Sequence, residues 1–149
     1  MEIGLISCTK SKKDEKSQPK ELYMESQLFR KKRKYAEKHH DKWYILSAKH
    51  GLLDPEGQPI EPYDDTLSGA KIGRKREWSK KIFREMKRRG ILDDELVFHA
   101  GKDYYGCIVP LLDKEDVSYR IPTSGLGIGE KLAWYTDHQV KLLTRCLIF

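Results

Sequence analysis

The sequence predicts an α/β fold: a three-layer sandwich in which a four-stranded, mainly parallel sheet is flanked by helices, all in one domain over residues 1–149. Two observations carry this prediction. Four short apolar runs end in small or polar residues, as strands buried on both faces do. Between them lie longer stretches with helical periodicity, and strands alternating with helices imply parallel pairing with helices on both sides. A chain of 149 residues suits one core and leaves little room for a second.

The first strand is Ile3 to Ser7. Ser17, Gln18 and Pro19 mark a helix start, and the helix is predicted to run from about Lys20 to His40 with Leu22, Leu28, Phe29, Tyr35 and Ala36 inward. Trp43 to Ser47 is the second strand. Ala48 to Gly73 has no period and is punctuated by Pro55, Gly57, Pro59, Pro62 and Gly69, so it reads as a long ordered loop, the kind that usually carries function. Arg74 to Arg89 is an amphipathic helix with Trp78, Ile82, Phe83 and Met86 on one face, and Gly90 closes it. Leu96 to His99 is the third strand, breaking at Ala100-Gly101. Asp103 is placed to cap a helix to about Leu112, which Pro110 ends or bends. Val117 to Ile121 is the fourth strand. After the turn at Gly125, Gly127 and Gly129, a last helix from about Glu130 to Thr144 carries Leu132, Tyr135, Val140 and Leu143 inward. Ile6, Leu46, Val97 and Phe98 are expected in the core.

Composition narrows the function class. Hydrophobic residues are 38% and charged residues 35%, which fits a folded, water-soluble chain. No apolar run approaches the roughly 20 residues that span a bilayer, and the segment from Met1 to Ile6 has no basic leader, so neither a membrane nor a signal peptide is expected. Cys8, Cys107 and Cys146 are odd in number and widely spaced. They fit neither a disulfide framework nor a zinc site, and they imply a reducing, cytoplasmic setting. No metal site and no cofactor are expected; a G-x-x-x-x-G-K-[ST] loop and a G-x-S-x-G elbow are both absent. The net charge is +6 and it is clustered: Lys71 to Arg89 holds ten basic and two acidic residues, and Arg30 to Lys38 six and one. Clusters of this kind can track a phosphate backbone, so a nucleic acid is the expected partner, with Lys75, Arg76, Lys80, Arg84 and Lys87 as its backbone contacts; a solvated helix face is the alternative.

In an open α/β sheet the ligand sits outside the carboxyl ends of the strands. That rule selects four segments. Ser7 to Lys13 offers hydroxyls, backbone donors and positive charge, with Ser7, Cys8 and Lys10 as substrate contacts. Ser47 to Leu53 supplies Ser47, with Lys49 and His50 able to neutralise an anion or assist a leaving group. Pro62 to Asp64 supplies Tyr63, able to stack on a base, and Asp64, able to orient water. His99 to Gly106 supplies His99, Gly101 and Tyr104 as pocket walls. The run Ser124 to Gly129 reads as a plain connector or a weak glycine-rich phosphate loop.

The segments Leu5 to Lys12, Leu22-Tyr23, Ile45 to Leu53 and Pro62-Tyr63-Asp64, with Phe29, Gly101 and Tyr104, resemble a small prokaryotic and phage family long catalogued as a domain of unknown function. The Leu-Ser-x-x-x-Gly-Leu-Leu and Pro-Tyr segments also resemble those of the YaaA peroxide-stress proteins, which bind DNA. More distantly, the layout is similar to uracil-DNA-glycosylase-like domains, including that of archaeosine synthase. The chain lacks the Gly-Gln-Asp-Pro-Tyr motif that uracil-DNA glycosylases carry after their first strand. The resemblance implies a DNA N-glycosylase-like hydrolase acting on a flipped base, modified bases included. Asp64 is then expected to be catalytic with His50 and Lys49, and Ser7, Lys49, His50, Tyr63, Asp64, His99 and Tyr104 are expected to line one cavity. A non-catalytic DNA-binding protein of YaaA-like type is the alternative, and a hydrolase of free nucleosides or nucleotides is a third reading.

Overall fold

The computed structural model describes residues 1–10 and 12–148, with the side chains of 139–148 left out. Ser11 and the side chains of Val140, Leu143 and Cys146 therefore lie outside the described part. In chain order the elements are β1 (Glu2–Ser7), α1 (Pro19–Leu22), α2 (Gln27–His39), β2 (Lys42–Ser47), β3 (Gly51–Leu53), α3 (Ile72–Arg88), β4 (Glu95–His99), α4 (Lys102–Tyr105), α5 (Val109–Lys114), β5 (Tyr119–Arg120) and α6 (Ile128–Ile148).

The sheet has five strands in the order β3-β2-β1-β4-β5. The four apolar runs pair in parallel, β1 between β2 and β4 and β5 outside β4. The expected four-stranded sheet is corrected to a mixed, five-stranded one. The additional strand is β3, antiparallel to β2 through the pairs Ile45↔Leu53, Leu46↔Leu52 and Ser47↔Gly51. The hairpin turns at Gly51, whose φ of +77° places it in the left-handed region, and a Cβ there would stand 2.7 Å from Glu85 Oε2. That carboxylate accepts the Leu52 N–H at 2.6 Å, so α3 is bonded to the edge strand at the turn. Gly51→Ala is expected to cost about 1–2 kcal/mol, the penalty of a Cβ in the left-handed region. A shifted urea midpoint with an unchanged slope would register that cost.

Helices cover both faces. On one, the His99 ring meets Tyr35 of α2 and Tyr135 of α6. On the other, Phe98 meets Tyr105 of α4, and α3 packs against α4, α5 and β3. Ile6, Leu46, Val97 and Phe98 are fully buried, as expected. Trp78, Ile82 and Met86 are buried too, and Phe83 packs partly buried against the core. No described helix is long and apolar enough to cross a membrane.

Three helix boundaries differ from the sequence reading. The helix expected from Lys20 to His40 is broken after Leu22, because Ser26 caps a new start, its Oγ accepting the Phe29 N–H at 3.1 Å. The break buries Tyr23. Asp103 caps nothing: Gly101 holds the N-cap of α4, and Pro110 opens α5 rather than ending a helix. A proline in a first turn loses no hydrogen bond, since that N–H has no partner in the helix.

Candidate functional site

The carboxyl ends of β1 and β4 open into a cavity of about 490 Å³, within the range of small-molecule sites. Of the residues expected there, Ser7, Cys8, Lys10, Gly101 and Tyr104 line it. Tyr104 forms part of its wall. Its phenol lies 3.4 Å from Cys8 Sγ and 3.4 Å from Thr66 Oγ1, and it accepts the Leu67 N–H at 3.3 Å. Burial, and after it the neighbouring Cys8, push that phenol up to about 12, so it stays protonated and can donate. Trp78 of α3 seats the same region: its ring meets Tyr104 edge-on at 5.5 Å, and its Nε1 donates to the Ser47 carbonyl at 2.9 Å.

Ser47, Lys49, His50, Tyr63 and Asp64 form a second, neighbouring group rather than part of the cavity wall. Tyr63 is buried, and its phenol is bonded to Ser47 Oγ at 2.7 Å and to the Tyr23 phenol at 2.5 Å. Ser47 Oγ also accepts the His50 N–H at 2.9 Å. The Lys12 ammonium caps the Tyr63 ring at 4.5 Å, Lys49 stands 6.0 Å from it, and the His50 ring meets it edge-on at 5.2 Å. Buried among its partners, Tyr63 has no open face for a base to stack on, which corrects the stacking role expected of it. Burial raises both phenols, Tyr23 and Tyr63, and so keeps them neutral. Burial, then Lys49 and Lys81, lower His50, which is thus a neutral imidazole at pH 7. The Asp64 side chain is exposed, and its resolved electrostatic neighbour is Lys12. Of the residues expected in a single cavity, Tyr104 lines it, whereas Lys49, His50, Tyr63 and Asp64 do not.

His99 departs furthest from expectation. Its register partner is Ile6, and it points to the opposite face of the sheet from Phe98. There it is fully buried in a chain of polar contacts. Glu2 Oε1 lies 2.5 Å from His40 Nδ1, His40 Nε2 lies 2.7 Å from His99 Nε2, and His99 Nδ1 lies 2.7 Å from the Tyr135 phenol. Gly4 makes this possible, since a Cβ there would come within 2.6 Å of the His40 ring. The strand-end rule finds the right end of the sheet but does not choose the face.

Two lysines of the wall were missed, Lys32 of α2 and Lys131 of α6. The signal for Lys32 was present: Phe29, Lys32, Tyr35 and Ala36 share one helical stripe, and that stripe is buried. The basic run Arg30 to Lys38 masked it. Gly101 and Lys131 also border a second recess of about 470 Å³ floored by Ser124 and Gly125, so the glycine-rich run adjoins the site.

The basic helix lies beside the cavity. Lys75 Nζ donates to Asp103 Oδ1 at 2.6 Å, and Arg74 donates to the Thr66 carbonyl at 3.1 Å; Asp103 and Thr66 both line the cavity. The Lys75 charge is thereby engaged. Arg76 and Arg84 are exposed with no ion-pair partner among the described residues. Lys80 and Lys87 make only long, exposed pairs with Glu77 and Glu115.

A family model matches residues 3–137, from β1 into α6. The chain belongs to DUF6884, a family of unknown function. The match takes in both residue groups and all of α3, so the cavity and its basic border fall within the DUF6884 domain. No curated protein and no solved structure matches the chain.

Proposed function

We propose that this DUF6884 chain binds DNA and acts on the N-glycosidic bond of a nucleotide extruded from the helix. The observation that carries the reading is the junction of α3 with the cavity: Lys75–Asp103 and Arg74–Thr66 tie a basic helix face to the wall of a chamber large enough for a nucleotide. Arg76, Lys80, Arg84 and Lys87 follow one another at helical spacing and remain available for phosphates. Cys8, Tyr104, Lys32 and Asp103 bring a thiol, a neutral phenol, an amine and a carboxylate to one space. The chemistry is assigned to these groups rather than to Asp64 and His50. We extend the proposal to the fold, as kin of uracil-DNA-glycosylase-like and YaaA-like domains, on the parallel core β2-β1-β4-β5 with its cavity at the carboxyl ends. The cytoplasm is its proposed setting, with Cys8 and Cys107 as free thiols.

The test is incubation with genomic and phage DNAs of differing modification, followed by mass spectrometry of released bases and titration of abasic sites. Release of a base with matching abasic sites is the expected result. Binding without release would favour the non-catalytic reading, which draws support from the exposed position of Asp64. Binding itself is expected to weaken steeply with salt. Lys80→Ala with Lys87→Ala should lower affinity without regard to sequence and reduce the salt slope by about one for each phosphate no longer neutralised. A salt slope identical to that of the unaltered protein would remove α3 from the interface.

A further inference from the structure

Lys32 sits in the wall of the cavity with only 4% of its surface exposed. It makes no hydrogen bond and no ion pair among the described residues. The one carboxylate of the cavity wall, Asp103, is bonded to Lys75 instead. The charged and titratable groups that face Lys32 are Cys8 at the end of β1, His99 on β4 and Lys131 on α6, with Asp103 and Tyr104 of α4 on the same cavity. An amine buried in this way, in the wall of a largely apolar cavity and given no anion, is poorly placed to serve as a structural cation. It is well placed to serve as a nucleophile, for which the neutral form is required.

We propose that Lys32 is the nucleophile of this cavity and forms an imine with C1′ of a nucleotide sugar held there; the proposal rests on the base-directed reading above and supplies its chemistry. The Lys32 Nζ lone pair forms a bond to C1′ as the C1′–N bond to the base breaks. The base leaves with that electron pair and takes a proton released by Nζ. The remaining Nζ lone pair then forms the C=N bond as C1′–O4′ breaks, and O4′ leaves with its electrons and takes a proton from solvent. Water returns the protonated imine to free Lys32 and an abasic aldehyde. The Tyr104 phenol, neutral at pH 7, is the wall's hydroxyl donor for a leaving oxygen or base. Burial in the first place, and Lys131 in the second, lower the Lys32 ammonium to about 7, with Cys8 opposing, so a large fraction of the amine is free at neutral pH.

The test uses the full chain and a duplex oligonucleotide carrying one preformed abasic site, with borohydride added to reduce any imine to a stable secondary amine. This substrate presents the C1′ aldehyde directly and needs no knowledge of the target base. Tryptic mapping is expected to place the adduct on Lys32, and Lys32→Met is expected to lose it while Lys114→Met, at an exposed lysine of α5 away from the cavity, keeps it. Trapping should fall about tenfold for each pH unit below about 7 as the amine is protonated. Mapping on the unaltered protein keeps the proposal testable if Lys32→Met does not fold. No adduct, or an adduct spread over Lys10, Lys12 and other exposed lysines, would overturn it. The base-release assay judges the underlying reading separately. Release without a Lys32 adduct keeps the glycosidic function and rejects this nucleophile. A Lys32 adduct with no release from any DNA keeps the nucleophile and rejects the glycosidic function.

Discussion

Lys32→Met is expected to make the protein more stable at neutral pH, by about 1–3 kcal/mol, the usual cost of a buried polar group left without a partner. Methionine keeps the length of the side chain, fills irregular space well and removes the charge. The pH dependence has a definite sign. The folded-state pKa is lowered to about 7 from the usual 10.5, so between those values the unfolded chain binds a proton that the folded chain does not. Stability of the unaltered protein therefore rises with pH across that window, and the full penalty persists below about 7. The advantage of Lys32→Met should be largest at pH 7 and shrink toward pH 10, as paired urea titrations of the two proteins would show. A variant less stable at pH 7 would mean that the amine is held by bonds worth more than its burial costs. Such a price in stability at a cavity wall is common where a fold keeps a group for chemistry rather than for packing.

How far the sequence foretold this depended on what each signal physically encodes. Buried parallel strands must be apolar on both faces, so Ile3 to Ser7, Trp43 to Ser47 and Leu96 to His99 announced themselves, and the strand-end rule then drew Ser7, Cys8, Gly101 and Tyr104 to one cavity. The strand Gly51–Leu53 did not announce itself. Three residues cannot display a period, and its place depends on the left-handed turn at Gly51 and the Glu85 carboxylate 34 positions away from it, both tertiary facts. Faces were misjudged where neighbours alternate: Phe98 and His99 are adjacent in sequence and a whole sheet apart in environment. Tyr63 is special in a way that the expected stacking role does not include. Its special feature is a buried hydroxyl network with Tyr23 and Ser47, a set of bonds between residues far apart in the chain that local reading does not reach. Lys32 was hidden by its own company, one inward lysine among outward ones.

Acidification from pH 7 to pH 5 is expected to destabilise the protein strongly, through the histidines of the face opposite Phe98. His99 lies well below the usual 6.5, because of burial first and then the neighbouring charges of His40 and Lys32. His40 is lowered too, again by burial, with Glu2 pulling the other way. A lowered histidine stays neutral in the folded state while the unfolded chain takes up its proton, so stability present above about 6.5 is lost as the pH falls below it. Each such group can contribute a slope of up to about 1.4 kcal/mol per pH unit. His99→Gln should be less stable than the unaltered protein at pH 7, since His40 Nε2 and the Tyr135 phenol each lose their bond to the His99 ring, yet it should lose stability more slowly on acidification. Thermal melts of both proteins across that range decide the matter. The chain Glu2–His40–His99–Tyr135 joins β1, the end of α2, β4 and α6, so protonating its centre loosens the whole layer that carries Lys32 and Lys131 to the cavity. A protein equally stable at both pH values would mean that His99 takes up its proton without cost, and a histidine so placed would have to be reconsidered as a participant in the chemistry rather than a clamp behind it.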